Sequence, residues 1–289
     1  MKGYSRDFLL FFLHGNFIPA VAAVFLSLVT QVQLGFAPEF YTFHLLILTA
    51  GVAEYNLHRL LKFYSKGKIS RSEKYHWLSE NLLSGWIVTT ISLIILLISL
   101  FFVSAAVRGV FLVSGFIALL YSLPVKGWPA GFSLRKLPFF KTFILALVWS
   151  SITVFIPAVQ IAFEPGYEIV KIFTGRFVFI FSLALLFDIR DTEADQSAGI
   201  KTIPVVFGET LTRRLAVILL FLFPLWSLVL SGFSGKYYLS ASAFLISVFL
   251  ILLVNCRSCR ESTLYYPVFL DGSMIFYSLT VIAGWMAFH

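Results

Sequence analysis

Residues 187–208 read FDIRDTEADQSAGIKTIPVVFG, and four of the chain's 14 acidic residues fall within this stretch. Asp188, Asp191 and Asp195 follow the spacing D-x-x-D-x-x-x-D. Steps of three and four residues place side chains on one face of an α-helix. Three carboxylates on one stripe repel each other unless a cation lies between them, and Mg²⁺ suits that position because it accepts carboxylates and bridges to phosphate oxygens. The spacing therefore indicates a divalent-cation site on a helix.

The residues after this stripe predict how the helix ends. Gly199 can terminate it, because glycine readily adopts the left-handed conformation that closes a helix. Lys201 and Thr202 can then turn back toward an anion bound at the carboxylates. The alternative is a solvated acidic helix cap, which the sequence GIKTIP after the acidic residues disfavours.

The composition of the chain places this stretch in a membrane protein. Of the 289 residues, 59% are hydrophobic and only 12% are charged. A soluble domain carries about 25% charged residues, so this chain lacks the charge needed to cover a water-facing surface. The same figures exclude disordered, collagen-like, coiled-coil and disulfide-scaffold proteins.

Long apolar runs separated by polar breaks predict nine transmembrane helices, since one spanning helix takes about 20 residues. The predicted spans are 8–30, 40–61, 81–104, 107–123, 140–162, 171–187, 213–232, 236–254 and 264–288. The remaining residues suffice for termini and loops. Residues 1–289 are therefore expected to form one all-α, polytopic membrane domain without a separate soluble domain.

The basic residues predict the orientation of the chain. Eighteen of the 22 Lys and Arg residues fall on one side of the alternating spans. Cytoplasmic loops are enriched in basic residues, which contact anionic lipid there. We therefore expect the N-terminus and the acidic stretch on the cytoplasmic side and the C-terminus outside. The net charge of +8 does not indicate a nucleic-acid partner, because the sequence contains no run of basic residues interleaved with exposed aromatic residues.

Both cysteines of the chain, Cys256 and Cys259, lie in a short polar loop as C-x-x-C. A structural zinc site needs four ligands, and a thioredoxin-type motif needs a βαβ context. We interpret the two residues as loop thiols without a metal or redox role.

The acidic stretch and its place after the sixth of nine spans resemble the UbiA superfamily of intramembrane aromatic prenyltransferases. Those enzymes are nine-helix bundles with an Asp-rich motif after the second helix and another after the sixth. The resemblance implies a UbiA-like bundle in which Asp188, Asp191 and Asp195 bind Mg²⁺ that holds the diphosphate of a prenyl donor. It also implies that Lys201 contacts the diphosphate, and that Asp191 and Lys201 contribute to catalysis.

A second point of similarity follows the fourth span, in YSLPVK and LRKLPFFK. The family often has a Tyr there, whose ring faces a developing carbocation, followed by basic residues that hold the leaving group. The matching residues are Tyr121, Lys126, Arg135 and Lys136. The step from Tyr121 to Lys126 is one residue longer than the family pattern, and setting the topology is an alternative role for these basic residues.

The first Asp-rich motif of the family is missing from this chain. Its place at the end of the second span reads AEYNLHRLLKFY, in which Asn56 matches the family motif and is by that match a candidate for binding the diphosphate. The three Asp positions carry Leu57, Leu60 and Tyr64. Basic residues nearby are candidates for binding the diphosphate directly in place of one Mg²⁺, since such side chains are ordinary phosphate binders. They are His58, Arg59 and Lys62.

These features predict a Mg²⁺-dependent enzyme that transfers a prenyl group from a prenyl diphosphate to a lipophilic acceptor within the membrane, and the resemblance implies an aromatic one. The alternative is a protein on the same bundle that binds an isoprenoid or quinone-type lipid without transferring it. Losing one metal site removes charge stabilisation from the leaving diphosphate, which favours this alternative.

Overall fold

The structure, a computed structural model, describes residues 15, 17–66, 81–122, 134, 137–161, 166–231 and 235–288. Within these ranges all regular structure is helical and no strand occurs. The long helices are α1 Phe17–Leu34, α2 Thr42–Lys66, α3 Leu82–Phe102, α4 Ala105–Ser122, α5 Phe140–Gln160, α6 Tyr167–Ser197, α7 Glu209–Ser231, α8 Tyr237–Asn255 and α9 Asp271–Phe288. Shorter elements are Ile203–Phe207, Arg257–Arg260 and a π-helix, Tyr265–Leu270, that leads into α9.

Each predicted span overlaps one of these long helices, with differences at the ends. Seven of the described helices are long and apolar enough to cross a membrane. Helix α2 is not among the seven, and the apolar segment Ala105–Tyr121 of α4 is shorter. An all-helical, multi-pass membrane protein is confirmed, whereas nine membrane crossings stay a prediction.

Helix α6 differs most from its predicted span. The apolar run ends at residue 187, but the helix continues through the acidic residues to Ser197. Its 31 residues extend over about 46 Å, whereas the hydrocarbon core of a bilayer is about 30 Å thick. The last turns of α6, which carry the three Asp residues, therefore project beyond the apolar layer.

Gly199 ends α6, as predicted. Its φ of 70° lies in the left-handed region, which glycine adopts without steric cost. The Ile200 amide donates to the Asp195 carbonyl at 2.9 Å. The chain then turns so that the Lys201 carbonyl accepts a hydrogen bond of 2.9 Å from the Phe139 amide. The segment after α6 is thus tied to the residue that precedes α5.

An aromatic cluster holds α6 in the bundle. Phe179 of α6 packs between Phe223 of α7 and Tyr277 of α9, with ring centroids 4.8 Å and 5.4 Å away. All three side chains are buried. Helix α5 also packs against α6, and α1 contacts α2, α5 and α9. These contacts fix the position of the acidic end of α6 relative to the start of α5.

The structure joins Cys256 and Cys259 in a disulfide, so the interpretation of the pair as loop thiols is wrong. The short helix Arg257–Arg260 is the reason, because its single turn brings the two Cα atoms to 5.3 Å. A disulfide requires Cα atoms within about 7 Å, which the C-x-x-C spacing alone does not guarantee.

A buried guanidinium joins α6 to α1 at the opposite end of the bundle from the acidic residues. Arg176 donates to the Leu26 carbonyl at 2.8 Å, to Thr30 Oγ1 at 3.2 Å and to Gln33 Oε1 at 3.3 Å. The Arg176 side chain is buried. Neutral oxygens of α1 therefore satisfy a charge that would otherwise be costly inside the bundle.

We expect Arg176→Met to lower the stability of the protein by roughly 2–3 kcal/mol, because it removes buried hydrogen bonds from a charged donor. Thermal unfolding in detergent measures the loss. Arg257→Met is the matched control, since the Arg257 side chain forms an exposed ion pair with Glu261 at 3.1 Å, a type worth about 0–1 kcal/mol. Equal midpoints for the two variants would contradict the role assigned to Arg176.

Candidate functional site

The ammonium of Lys141 lies between the three carboxylates of the acidic stripe. Its Nζ atom is 2.9 Å from Asp188 Oδ1, 2.5 Å from Asp195 Oδ2 and 3.8 Å from Asp191 Oδ2. Lys141 is the second residue of α5, so the first turn of α5 faces the last turns of α6. The three Asp residues predicted from the sequence therefore do converge on one point.

The three carboxylates differ in burial and in partners. Asp188 and Asp195 are almost fully buried, whereas Asp191 is about one-third exposed. Asp188 also accepts a hydrogen bond from the hydroxyl of Thr142, the residue next to Lys141. Two adjacent residues of α5 thus bind Asp188, the most deeply placed carboxylate.

A bound metal is not needed to separate the three carboxylates, contrary to the expectation from their spacing, because the ammonium of Lys141 already lies between them. In the described part of the chain, no three His, Cys, Asp or Glu side chains are arranged to hold a metal ion as they stand. The ammonium is a stand-in cation, however, and a carboxylate-only donor set is one that Mg²⁺ accepts. The residues fit a divalent cation at this point once Lys141 moves aside.

Asp191 has a second cationic partner on its own helix. Arg190 donates to both of its oxygens, from Nε at 2.8 Å and from Nη2 at 3.3 Å. The guanidinium also packs over the rings of Phe187 and Tyr266, at 5.1 Å and 5.0 Å from their centroids. Tyr266 belongs to the π-helix Tyr265–Leu270, an element often found at functional sites. Arg190 and its rings therefore orient Asp191.

Lys201 is the predicted diphosphate contact of the second motif. Its side chain is exposed, and its backbone carbonyl accepts the Phe139 amide. That hydrogen bond places the backbone of Lys201 beside Phe139, which precedes α5 and lies two residues before Lys141 in the chain. Contact of the Lys201 side chain with an anion at the acidic stripe stays a prediction.

Asn56, which matches the family's first motif, has a structural role. Its Nδ2 donates to the carbonyls of Gly15 and Val52, each at 2.8 Å, and its Oδ1 accepts from Arg59 Nη2 at 2.8 Å. Both Asn56 and Arg59 are buried. The structure thus brings two predicted substrate-binding residues together with each other, on α2.

The three positions of the missing Asp residues carry Leu57, Leu60 and Tyr64, so α2 offers no carboxylate at those positions. Leu60 is fully buried and packs with Phe63 against Leu82 of α3. Its side chain therefore serves the contact between two helices. His58 is exposed on the same helix, one residue before the buried Arg59. Exposure leaves the imidazole of His58 accessible to a soluble anion.

Tyr121 lies near a group of interior side chains that the sequence did not single out as a set. The hydroxyl of Tyr55 accepts a hydrogen bond of 3.2 Å from Trp149 Nε1, which links α2 to α5. Tyr55 interacts electrostatically with Glu54, Tyr121 and Asp271. Tyr55 of α2 is thus hydrogen-bonded to Trp149 of α5, with Tyr121 of α4 and Asp271 of α9 within electrostatic range.

Several predicted site residues lie outside the described residues. They are Lys126, Arg135 and Lys136, together with the side chain of Lys62. Their roles stay predictions.

Lys141 is not among the site residues predicted from the sequence, although the sequence carries a signal for it. It lies inside the predicted span 140–162, and an ionisable residue within a span is a functional candidate. Thr142 and Trp149 carried no such signal, since a hydroxyl or an indole is ordinary in a membrane helix.

Comparison with known proteins gives one family and several structures. The model of the UbiA prenyltransferase family matches residues 78–279. No curated protein matches the sequence. A UbiA homolog from Archaeoglobus fulgidus bound to GPP and Mg²⁺ is similar to the chain with a TM-score of 0.66 at 15% identity, over 95% of this chain and 98% of the homolog.

Two further solved structures have the same fold. A digeranylgeranylglyceryl phosphate synthase structure gives a TM-score of 0.57 at 14% identity, covering 99% of this chain and all of that protein. The Archaeoglobus fulgidus homolog bound to DMAPP and Mg²⁺ gives 0.55 at 13% identity, over 94% and 96% of the two chains. The predicted UbiA-like helical bundle is confirmed.

We expect Thr142→Val to destabilise the protein by about 1.5–3 kcal/mol, because the buried carboxylate of Asp188 loses a hydrogen bond. The measurement is the thermal midpoint in detergent without added metal. Thr174→Val is the control, since the Thr174 hydroxyl only bonds the Val170 carbonyl of its own helix. If Thr142→Val behaves like Thr174→Val, the hydroxyl does not support Asp188.

Proposed function

Because the chain belongs to the UbiA prenyltransferase family, we propose that it transfers a prenyl group from a prenyl diphosphate to a lipophilic, aromatic acceptor within the membrane. The observation that carries this proposal is the convergence of three carboxylates of α6 on one cationic point. That point lies where a membrane helix leaves the apolar layer. A lipid with a charged head group has its diphosphate at the same depth.

Asp188, Asp191 and Asp195 would hold Mg²⁺ in this scheme. Bound there, the metal supplies positive charge that stabilises the charge developing on the leaving diphosphate. The similar UbiA homolog from Archaeoglobus fulgidus is bound to GPP and Mg²⁺, which supports the same cofactor here. Asp191 is the most exposed of the three and the nearest to a soluble anion.

Basic residues of this chain would bind the diphosphate itself. The exposed side chains of Lys201 and His58 are accessible to it. Arg59, Lys62, Lys126, Arg135 and Lys136 are the further candidates from the sequence. Together they would provide the positive charge that a Mg²⁺ bound at the first Asp-rich motif would otherwise supply. Lys201 would orient the leaving group and neutralise its charge as the bond breaks.

The interior aromatic residues would face the prenyl chain. The allylic C–O bond breaks, its electron pair stays on the diphosphate, and an acceptor carbon forms the new bond and loses a proton. Ring faces stabilise a cation, and Tyr121 with Tyr55 and Trp149 offers such faces within the bundle. An apolar surround also keeps water from the cation.

The orientation follows from the distribution of basic residues. We place the N-terminus and the acidic end of α6 on the cytoplasmic side and the C-terminus outside, because basic residues concentrate in cytoplasmic loops. The prenyl diphosphate would then enter from the cytoplasmic side.

A non-transferring isoprenoid or quinone-binding protein is the second candidate. The buried contact of Leu60 with Phe63 and Leu82 favours it, because this position of the first motif serves helix packing. Release of inorganic diphosphate from GPP in the presence of a membrane lipid extract distinguishes the two candidates. Binding without release would identify the second.

Asp191→Asn is expected to abolish the stabilisation that GPP confers in the presence of MgCl₂. A ligand that binds only the folded state raises the thermal midpoint, and removing a metal ligand weakens that binding. Thermal unfolding in detergent with GPP, with and without MgCl₂, measures the effect.

Glu193→Gln is the matched control, because Glu193 lies on α6 two residues away and is exposed. It should retain the MgCl₂-dependent shift of the unaltered protein. A shift that survives in Asp191→Asn, or that needs no MgCl₂, contradicts the proposed metal site.

A further inference from the structure

We propose that Lys141 is an exchangeable counter-cation of the active site: it neutralises the acidic stripe while the site is empty of ligand and binds the diphosphate once a divalent cation occupies the carboxylates. The inference rests on the proposed function. Lys141 would then stabilise the site in the absence of ligand and also contribute to binding of the diphosphate.

The Lys141 ammonium and a divalent cation would compete for the same carboxylate oxygens. The Lys141 Nζ atom lies within 3.8 Å of oxygens from Asp188, Asp191 and Asp195. A divalent cation bound to the same oxygens would sit next to the ammonium. Two like charges at such a separation repel strongly away from bulk water, so Lys141 must leave when the cation binds.

The side chain of Lys141 is long enough to bind an anion at the same end of α5 after it leaves the carboxylates. A lysine has a flexible four-carbon stem, and Lys141 is anchored in the first turn of α5. The Phe139 amide binds the Lys201 carbonyl, so the predicted diphosphate contact Lys201 is attached to the same end of α5. The ammonium can therefore turn from the carboxylates to an anion held there without any movement of the helix.

The formal charges of the site nearly cancel without a metal. Three carboxylates with Lys141 and Arg190 carry a formal net charge of −1. A diphosphate brings further negative charge, and the positions of the first Asp-rich motif hold Leu57, Leu60 and Tyr64. Releasing Lys141 supplies a cation when the diphosphate arrives.

Lys141→Met tests the exchange, because the substitution should raise the affinity for Mg²⁺ and lower the affinity for GPP. Without the competing ammonium, half-maximal stabilisation by MgCl₂ alone should require about tenfold less MgCl₂, the factor that one hydrogen bond between charged groups represents. In saturating MgCl₂, the affinity for GPP should fall by about the same factor. If Lys141 were purely structural, its replacement would not strengthen the binding of the metal and at the same time weaken the binding of the diphosphate.

Lys141→Met leaves two buried carboxylates without their partner and can prevent folding. A measurement on the unaltered protein therefore accompanies it, namely the rate at which an amine-reactive acetylating reagent modifies Lys141, followed by mass spectrometry. We expect a slow rate in apo protein, a faster rate in MgCl₂, and a slow rate again with MgCl₂ and GPP. Lys171 is the control, because its side chain is equally exposed, 12%, and it pairs with Glu168 far from the stripe.

The outcomes separate this inference from the proposed function. If MgCl₂ and GPP stabilise the protein but leave the Lys141 rate unchanged, or change it as they change Lys171, the exchange is overturned and the prenyltransferase proposal stands. If neither MgCl₂ nor GPP stabilises the unaltered protein, both are overturned. A rate that rises with MgCl₂ and falls with GPP, at Lys141 alone, supports the exchange.

Discussion

Charge compensation of the acidic stripe is the interaction on which the functional site depends. Asp188 and Asp195 are buried where α6 leaves the apolar layer, and an uncompensated carboxylate there would be costly. Lys141 provides the compensation from a different helix, α5. The site therefore exists only if α5 and α6 keep their relative positions.

The bundle maintains that relation by several independent contacts. Thr142 binds Asp188 beside the lysine, and the Phe139 amide binds the Lys201 carbonyl just beyond the end of α6. Deeper in the membrane, Phe179 packs against its aromatic neighbours, and Arg176 binds α1. Helix α6 is thus held along its length, which lets its acidic end carry charges in a fixed arrangement.

Much of the architecture was predictable because each membrane helix is a local property of an apolar run. The spans, the helical stripe of carboxylates and the terminating Gly199 all depend on residues close together in the chain. The end of α6 was harder to predict, because hydropathy changes at residue 187 while backbone hydrogen bonding continues to Ser197. Hydropathy reports the surroundings of a helix, whereas its length depends on its backbone bonds and its cap.

Composition and local spacing specify the membrane class, the long apolar helices and the helical stripe of Asp188, Asp191 and Asp195. What lies between those carboxylates depends on how the helices pack. Lys141 is 47 positions before Asp188 in the chain, and its ammonium meets that carboxylate at 2.9 Å because α5 packs against α6. Ion pairing between helices depends on the register in which they pack, and no spacing along one helix encodes that register.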